Sequence, residues 1–215
     1  SDMVILAARP SVGKTALALN MARHIAVRGS KSVLIFSLEM AKEQLVQRMI
    51  CMEGEIDSGK LRTGFLAKHV FKKLQMAAGH LNNAPIFIDD TPNISILELR
   101  SKSRRHASQH QLDLIIIDYL QLMNAGARAE NRQQEIAEIS RAVKGLAREL
   151  KVPVIALSQL SREAEKDDSG VPKLSHRRES GAIELDADVV LMFSRLAADE
   201  RAHMHQNKVR LDVAK

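Results

Sequence analysis

The chain has 215 residues, of which 45% are hydrophobic and 27% are charged, and its formal net charge is +6 at pH 7. This mixture is typical of a globular domain and excludes a disordered or collagen-like chain, and the apolar runs fall well short of the ~20 residues of a membrane span. Because the one cysteine, Cys51, cannot form an internal disulfide, we expect a soluble cytoplasmic protein without membrane contact.

Seven strands are predicted from short apolar runs rich in Ile, Val and Leu, which are typical of parallel strands buried on both faces. In chain order they are Met3–Ala8, Ser32–Ser37, Pro85–Asp89, Leu112–Asp118, Pro153–Leu157, Val189–Ser194 and Val209–Ala214. Apolar residues at three- and four-residue intervals predict helices over Lys14–Arg28, Lys42–Met52, Ser95–Gln109 and Arg132–Leu150. The alternation predicts an α/β fold with a doubly wound, mostly parallel sheet flanked by helices.

A phosphate-binding loop is predicted between the first strand and the first helix. It comprises Ala8, Arg9, Pro10, Ser11, Val12, Gly13, Lys14, Thr15 and Ala16, and it follows the P-loop pattern GxxxxGK[ST] with alanine at the first glycine. In such a loop backbone N–H groups bind phosphate oxygens, the lysine reaches the β- and γ-phosphates, and the Thr15 hydroxyl binds Mg²⁺. The alternative is a chance Gly-Lys-Thr at an ordinary helix start, which the flanking strand and helix disfavour.

Two acidic residues are candidates for the chemistry of that site. Asp118 ends a strand of four apolar residues, where a second carboxylate on the magnesium side is expected. Many P-loop ATPases place a glutamate directly after this acid, but here the next residue is Tyr119, so the general base must come from another strand. Glu39, just after the second strand, is the candidate for orienting the attacking water. Its alternative is an acid favoured by the dipole of the following helix.

Polar residues and loops follow the later strands. Gln159 comes two residues after Leu157, where an amide can donate to a γ-phosphate or can simply be solvated. Loops are predicted over Asn124–Asn131 and Ser161–Arg178, at strand ends where open α/β sheets bind ligands. Arg178 and the exposed backbone near Gly181 suit contacts to nucleic-acid phosphates, and the alternative is a solvated charged loop. With five Phe, one Tyr and no Trp, base stacking is disfavoured as a mode of binding.

Eight segments in order resemble the C-terminal, RecA-like motor domain of the DnaB family of replicative DNA helicases. They read AARPSVGKTALALNMA, FSLEM, KLRTG, IDDTP, IIIDYLQLM, ENRQQEIAEISR, PVIALSQLSR and RESGAIELDADVV. The resemblance implies a homohexameric ring in the full-length parent that hydrolyses ATP with Mg²⁺ at subunit interfaces. It also implies translocation along single-stranded DNA, unwinding of the duplex at the replication fork, and a primase and a helicase loader as partners.

The resemblance also assigns roles position by position. It gives catalysis to Glu39, Lys14 and the γ-phosphate sensor Gln159; nucleotide contacts to the P-loop residues, Arg48 and, from a neighbouring subunit, Lys215; metal binding to Thr15 and Asp118; and contacts to the DNA backbone to Arg178, Glu179 and Gly181. Contacts directed at phosphates make binding dependent on salt and blind to sequence.

The chain departs from the family pattern in three places. Family members carry an N-terminal helical domain, whereas this sequence opens on the first strand of the motor, and it stops at Lys215 before the expected arginine finger. Ser175-His176-Arg177 stands where the pattern usually reads SDL. We therefore expect residues 1–215 to form a single motor domain with low ATPase activity on its own.

Other functions remain compatible with the same motifs. A RecA-like recombinase or a regulatory ATPase would share the fold, and recombinases would form open filaments rather than closed rings. A nucleotide-dependent binding module that does not translocate is a further alternative. A small-molecule kinase is disfavoured, since nothing in the sequence resembles an acceptor pocket or a lid.

Overall fold

The computed structural model describes residues 2–64, 67–124, 131–160, 181–195 and 208–215. Its strands are β1 (Met3–Ala8), β2 (Val33–Ser37), β3 (Ile86–Asp89), β4 (Leu114–Asp118), β5 (Val154–Gln159), β6 (Val189–Arg195) and β7 (Val209–Val213). The helices are α1 (Lys14–Arg23, continued by a π-helical turn over His24–Arg28), α2 (Lys42–Glu53), α3 (Ser58–Thr63), α4 (Lys68–Asn82), α5 (Ile96–Gln109), α6 (Arg132–Leu150) and α7 (Gly181–Asp186).

The strands form one sheet in the order β3-β2-β4-β5-β1-β6-β7. Neighbouring strands from β3 to β6 are parallel, and β7 runs antiparallel to β6. The predicted α/β fold with a mostly parallel sheet is therefore confirmed. Because the parallel strands share a direction, the segments after β1, β2, β4 and β5 all leave the sheet at the same edge.

Helices cover both faces of the sheet, which explains the continuous apolar strands. In β4, Ile115 and Ile117 pack on the face covered by α5, α6 and α7, while Leu114 and Ile116 pack on the face covered by α1 and α2. All five residues of β4 are buried, including the terminal acid. A strand buried on both faces has no need of alternating polar residues.

Several boundaries and helices differ from the sequence expectation. Ser95 precedes α5 as its N-cap, accepting a hydrogen bond from the Glu98 N–H at 3.2 Å, and β5 continues to Gln159. Helices α3, α4 and α7 were not predicted. No residue of α3 is buried, and α4 buries only Ala77, although Val70, Leu74, Ala77 and Leu81 recur at helical intervals on one face of α4. No helix among the described residues is long and apolar enough to cross a membrane.

The two predicted loops fall mostly on residues 125–130 and 161–180, which lie outside the described residues. Only the first loop, Asn124–Asn131, has described ends, which are a bridge position and a helix N-cap. Asn124 forms a bridge with Ser95, and the Asn131 side chain caps α6 by accepting a hydrogen bond from the Gln134 N–H at 2.9 Å.

Candidate nucleotide-binding site

The segment between β1 and α1 has the backbone of an anion-binding loop. Ser11 and Gly13 have φ angles of 61° and 113°, and a side chain at position 13 would be strained by that angle. A Cβ there would meet only the Phe193 ring at 3.7 Å, so conformation rather than space requires the glycine. Helix α1 has no acid in its first turn and no capping side chain among the described residues, which leaves its first N–H groups available to an anion.

Strand β6 supports this loop from one side, a feature that the sequence did not predict. Phe193 pairs with Ala8 in the parallel ladder, and the Arg195 guanidinium donates a 3.0 Å hydrogen bond to the Ser11 carbonyl. An arginine at the end of an apolar strand carries no sequence signal for this contact, since the contact depends on β6 lying beside β1.

The Thr15 hydroxyl donates a hydrogen bond to Asp118 Oδ2 at 2.7 Å. Asp118 is only 4% exposed, and its Oδ1 is buried without a hydrogen-bond partner in the described part of the chain. Burial raises the pKa of this carboxyl, although the Thr15 hydroxyl and the Lys14 ammonium act to lower it. An unpaired buried carboxylate oxygen beside a hydroxyl suits a hard cation such as Mg²⁺, which prefers oxygen ligands.

Lys14 brings a positive charge to the same place. Its Nζ lies 4.7 Å from the centroid of the Tyr119 ring, a cation–π contact. Burial lowers the pKa of Lys14, while the negative charges of Asp118 and Glu39 raise it. A half-buried ammonium that burial disfavours gains stabilisation from an arriving polyanion.

Glu39 reaches this group of charges through the pairing of β2 with β4. Ser37 pairs with Asp118, and the next residue, Leu38, donates its N–H to the Asp118 carbonyl at 2.8 Å. The Ser37 hydroxyl closes the following turn on the Met40 carbonyl at 2.6 Å. The turn leaves the Glu39 side chain exposed at the edge of the sheet that also carries the P-loop.

Gln159 and Arg48 flank the loop on its two sides. Gln159 is the last residue of β5, pairs with Ala8 and is exposed. Arg48 is exposed on α2 and lines a cleft of about 640 Å³ together with Ala16 of α1. Its positive charge acts to lower the pKa of Asp118, although burial raises that pKa overall.

The remaining predicted residues do not join this cluster. Lys215 lies next to Val190, at the amino end of β6, and its Nζ donates to the Leu185 carbonyl at 3.4 Å. It is therefore at the edge of the sheet opposite the P-loop. Arg178 and Glu179 lie outside the described residues, and Gly181 is the first residue of α7.

Together these groups can bind a phosphate chain with a divalent cation and present a carboxylate beside it. The open start of α1 and Lys14 supply positive potential, Thr15 and Asp118 offer oxygen atoms to a cation, and Glu39 offers an exposed carboxylate. That set of groups is what the transfer of a phosphoryl group to water requires.

Known proteins that bear the same family description match this chain over its entire length. The model of the DnaB-like helicase C terminal domain matches residues 1–215. The chain is 51% identical to the replicative DNA helicase DnaB of Geobacillus stearothermophilus and 51% identical to the replicative DNA helicase DnaC of Bacillus subtilis (strain 168). Each alignment covers 100% of this chain and 48% of the relative, so the chain spans about half the length of the curated relatives it matches.

Solved structures agree with the family and with the fold. One of them, described as an ATPase domain, superposes with a TM-score of 0.90 at 37% identity, covering 100% of this chain and 76% of that one. A DnaB-like replicative helicase, described together with its interactions with primase, gives the same TM-score and identity and is covered over 52% of its length. A match along the whole chain, together with the site geometry, places this protein in the family of DnaB-like helicase C-terminal domains.

Proposed function

We propose that this chain is the ATP-hydrolysing motor of a replicative DNA helicase, which moves along single-stranded DNA and separates the duplex. The observation that carries the proposal is the Thr15–Asp118 pair, with its unpartnered buried carboxylate oxygen among the described residues, beside Lys14 at an open helix start. The relatives described as replicative DNA helicases support the choice among P-loop ATPases.

ATP with Mg²⁺ is the proposed substrate complex. The loop of residues 9–16 holds the phosphates through its backbone N–H groups, which Pro10 alone lacks, and Lys14 neutralises charge on the β- and γ-phosphates. Thr15 and Asp118 would hold Mg²⁺, which supplies charge neutralisation at the transferred phosphoryl group when bound. Arg48, whose charge reaches Asp118 across the cleft, adds positive potential from α2.

Hydrolysis then needs one base and one donor. Glu39 accepts the proton of the water that attacks the γ-phosphorus, the bond to the β-phosphate oxygen breaks, and ADP and phosphate leave. Gln159 donates its amide N–H to a γ-phosphate oxygen, so that the tip of β5 responds to the presence of that phosphate.

The further partners of the proposal follow from the family. Arg178, Glu179 and Gly181 are proposed to contact the DNA backbone, and Lys215 is proposed to reach the nucleotide of a neighbouring subunit in a homohexamer. Primase and a helicase loader are proposed partners of the full-length protein. One solved relative is described by its interactions with primase.

ATP hydrolysis by the full-length protein, with and without single-stranded DNA, tests the proposal. We expect stimulation by DNA, a rate that rises more than linearly with protein concentration, and loss of activity in Lys14→Ala. Hydrolysis that is indifferent to DNA would instead support a regulatory ATPase of the same fold.

A further inference from the structure

The tip of β5 is held by a side chain that belongs to a different segment. Gln121 lies in a short 3₁₀ turn, Leu120–Leu122, that follows β4. Its Nε2 donates to the Ser158 hydroxyl at 3.0 Å and to the Gln159 carbonyl at 3.1 Å, and its Oε1 accepts from the Gln159 N–H at 3.3 Å. One amide therefore satisfies both backbone polar groups of Gln159.

This contact stands where the strand ladder has ended. The last backbone pair between β4 and β5 joins Ile117 to Ala156. Asp118 faces β2, where its carbonyl accepts from the Leu38 N–H at 2.8 Å, and among the described residues no backbone pair joins β4 to β5 beyond Ile117 and Ala156. The Gln121 amide supplies a donor and an acceptor in place of a strand neighbour.

The other side of the β5 tip is fixed to the P-loop. Gln159 pairs with Ala8, and the following residue, Leu160, donates its N–H to the Ala8 carbonyl at 3.0 Å. Gln121 is itself held by α6, because the guanidinium of Arg132, in the first turn of that helix, donates a hydrogen bond to the Gln121 carbonyl. The position of Gln159 is therefore set between the P-loop and Gln121.

We infer that Gln121 is a positioning residue, which holds the Gln159 backbone so that the Gln159 side chain meets the γ-phosphate. The inference rests on the proposed function, in which Gln159 reports the γ-phosphate. A donor misplaced by about 1 Å loses much of its effect on a reacting group. Gln121 thus acts on the nucleotide only through Gln159.

The test compares nucleotide affinities in the full-length protein with Mg²⁺ present. The variants are Gln121→Met, which keeps the length of the side chain and removes its hydrogen bonds, Gln159→Ala, and the double variant. The control is Gln111→Met, since Gln111 is an exposed amide before the amino end of β4. The readouts are the Kd of a non-hydrolysable ATP analogue, the Kd of ADP, kcat for ATP and the thermal unfolding midpoint.

We expect Gln121→Met to raise the Kd of the ATP analogue at least fivefold while the Kd of ADP stays within twofold, and to lower kcat for ATP about tenfold. The double variant should have the same analogue Kd and the same kcat as Gln159→Ala alone. Equal losses of ADP and analogue affinity, or additive losses in the double variant, would overturn the inference.

Two further results separate the inference from the proposed function. If Gln121→Met keeps the analogue Kd and kcat of wild type while Gln159→Ala loses both, the positioning role of Gln121 is overturned and the sensor role of Gln159 is retained. If Gln159→Ala keeps the analogue Kd and kcat of wild type, both the sensor role of Gln159 and the positioning role of Gln121 are overturned. If Gln121→Met does not fold, Gln121→Glu replaces it, because glutamate keeps the acceptor for the Gln159 N–H and loses the donor. The affinity of Gln121→Glu for the ATP analogue should lie between the affinities of wild type and Gln159→Ala. An affinity equal to that of wild type would overturn the inference.

Discussion

The Thr15 hydroxyl and Asp118 Oδ2 are joined by a 2.7 Å hydrogen bond across 103 positions of the chain. The bond connects the start of α1 to the end of β4, two strands away from β1 in the sheet. It satisfies one carboxylate oxygen of Asp118 and leaves the other buried without a partner among the described residues. The carboxyl edge of the sheet therefore carries a poorly solvated carboxylate.

Replacing Asp118 with asparagine should stabilise the nucleotide-free chain and impair its function. Because the pKa of Asp118 is raised in the folded chain, ionising this carboxyl destabilises the fold. The stability therefore falls as pH rises from the ordinary carboxyl pKa through the raised one. At neutral pH the Asp118→Asn variant should melt higher, by roughly 2–4 °C for each kcal/mol relieved. Affinity for a nucleotide with Mg²⁺ should fall at least tenfold, as measured by fluorescence titration.

The matched control for that experiment is Asp113→Asn. Burial raises the pKa of Asp113, but hydrogen bonds from the Ser32 N–H, Gln111 and Lys31 outweigh it, so the net shift is downward. Its charge is stabilising above the ordinary pKa, and this variant should melt lower. A lower melting temperature in both variants would contradict the electrostatic interpretation of Asp118.

Nucleotide affinity should decline at alkaline pH sooner than an ordinary lysine would allow. Because burial lowers the pKa of Lys14, the free protein loses this positive charge before a typical ε-amine, whose pKa is about 10.4, would lose it. Phosphates bind best to the protonated form, so the Kd should rise as pH passes through the lowered pKa. Titrations from pH 7 to 10 measure it. Lys14→Arg keeps its charge throughout, and an identical pH profile in that variant would assign the effect to another group.

The Glu39→Gln variant should bind ATP and fail to turn it over. The amide has nearly the shape of the carboxylate and cannot accept the water proton, so kcat should fall at least a hundredfold while the nucleotide Kd changes less than threefold. The control is Glu43→Gln, since Glu43 is an exposed acid in the first turn of α2, four residues further on. Loss of binding in Glu39→Gln would move the general base elsewhere.

Glu53 holds three helices together, and its loss should be costly. Its side chain is 3% exposed and contacts Arg23 of α1 at 2.5 Å and His80 of α4 at 2.9 Å. Burial would raise the pKa of Glu53, but the hydrogen bonds from His80 and Arg23 outweigh it and the net shift is downward. The charge therefore stabilises the fold above the ordinary pKa, and this stability is lost as pH falls through the lowered one.

Glu53→Ala should lower the free energy of unfolding by about 3–5 kcal/mol, since it leaves Arg23 partly buried without its carboxylate. Urea denaturation at pH 7 measures the loss. His80→Ala should cost much less, because the His80 side chain is 52% exposed. Equal costs would show that the helix contact, rather than the Arg23 pair, carries the stability.

The sequence predicts the sheet and the main site residues for one physical reason. Strands such as Leu114–Asp118 are buried on both faces and so appear as uninterrupted apolar runs, and polar residues directly after them mark the carboxyl edge of the sheet. The P-loop, Glu39 and Asp118 could be placed together on that basis, and the structure brings them together.

The parts that escaped prediction depend on strand order and on weak burial. The contact of Arg195 with the P-loop requires β6 beside β1, and that of Gln121 requires β4 to leave β5 early. Apolar periodicity encodes neither arrangement. Helix α4 buries only Ala77 and exposes Phe71 and Met76, but the helical spacing of Val70, Leu74, Ala77 and Leu81 is a signal that could have predicted it.

The antiparallel direction of β7 bears on the ATPase activity expected when functional and inactive copies of the protein are mixed. It returns the chain to the amino edge of the sheet, where Lys215 lies about 10 Å of strand away from the level of the P-loop. In its proposed role Lys215 would serve the nucleotide of a neighbouring subunit, and each working site would then be formed by two copies in a head-to-tail contact. An inactive copy would then silence a functional neighbour, and activity would fall faster than the fraction of defective subunits rises.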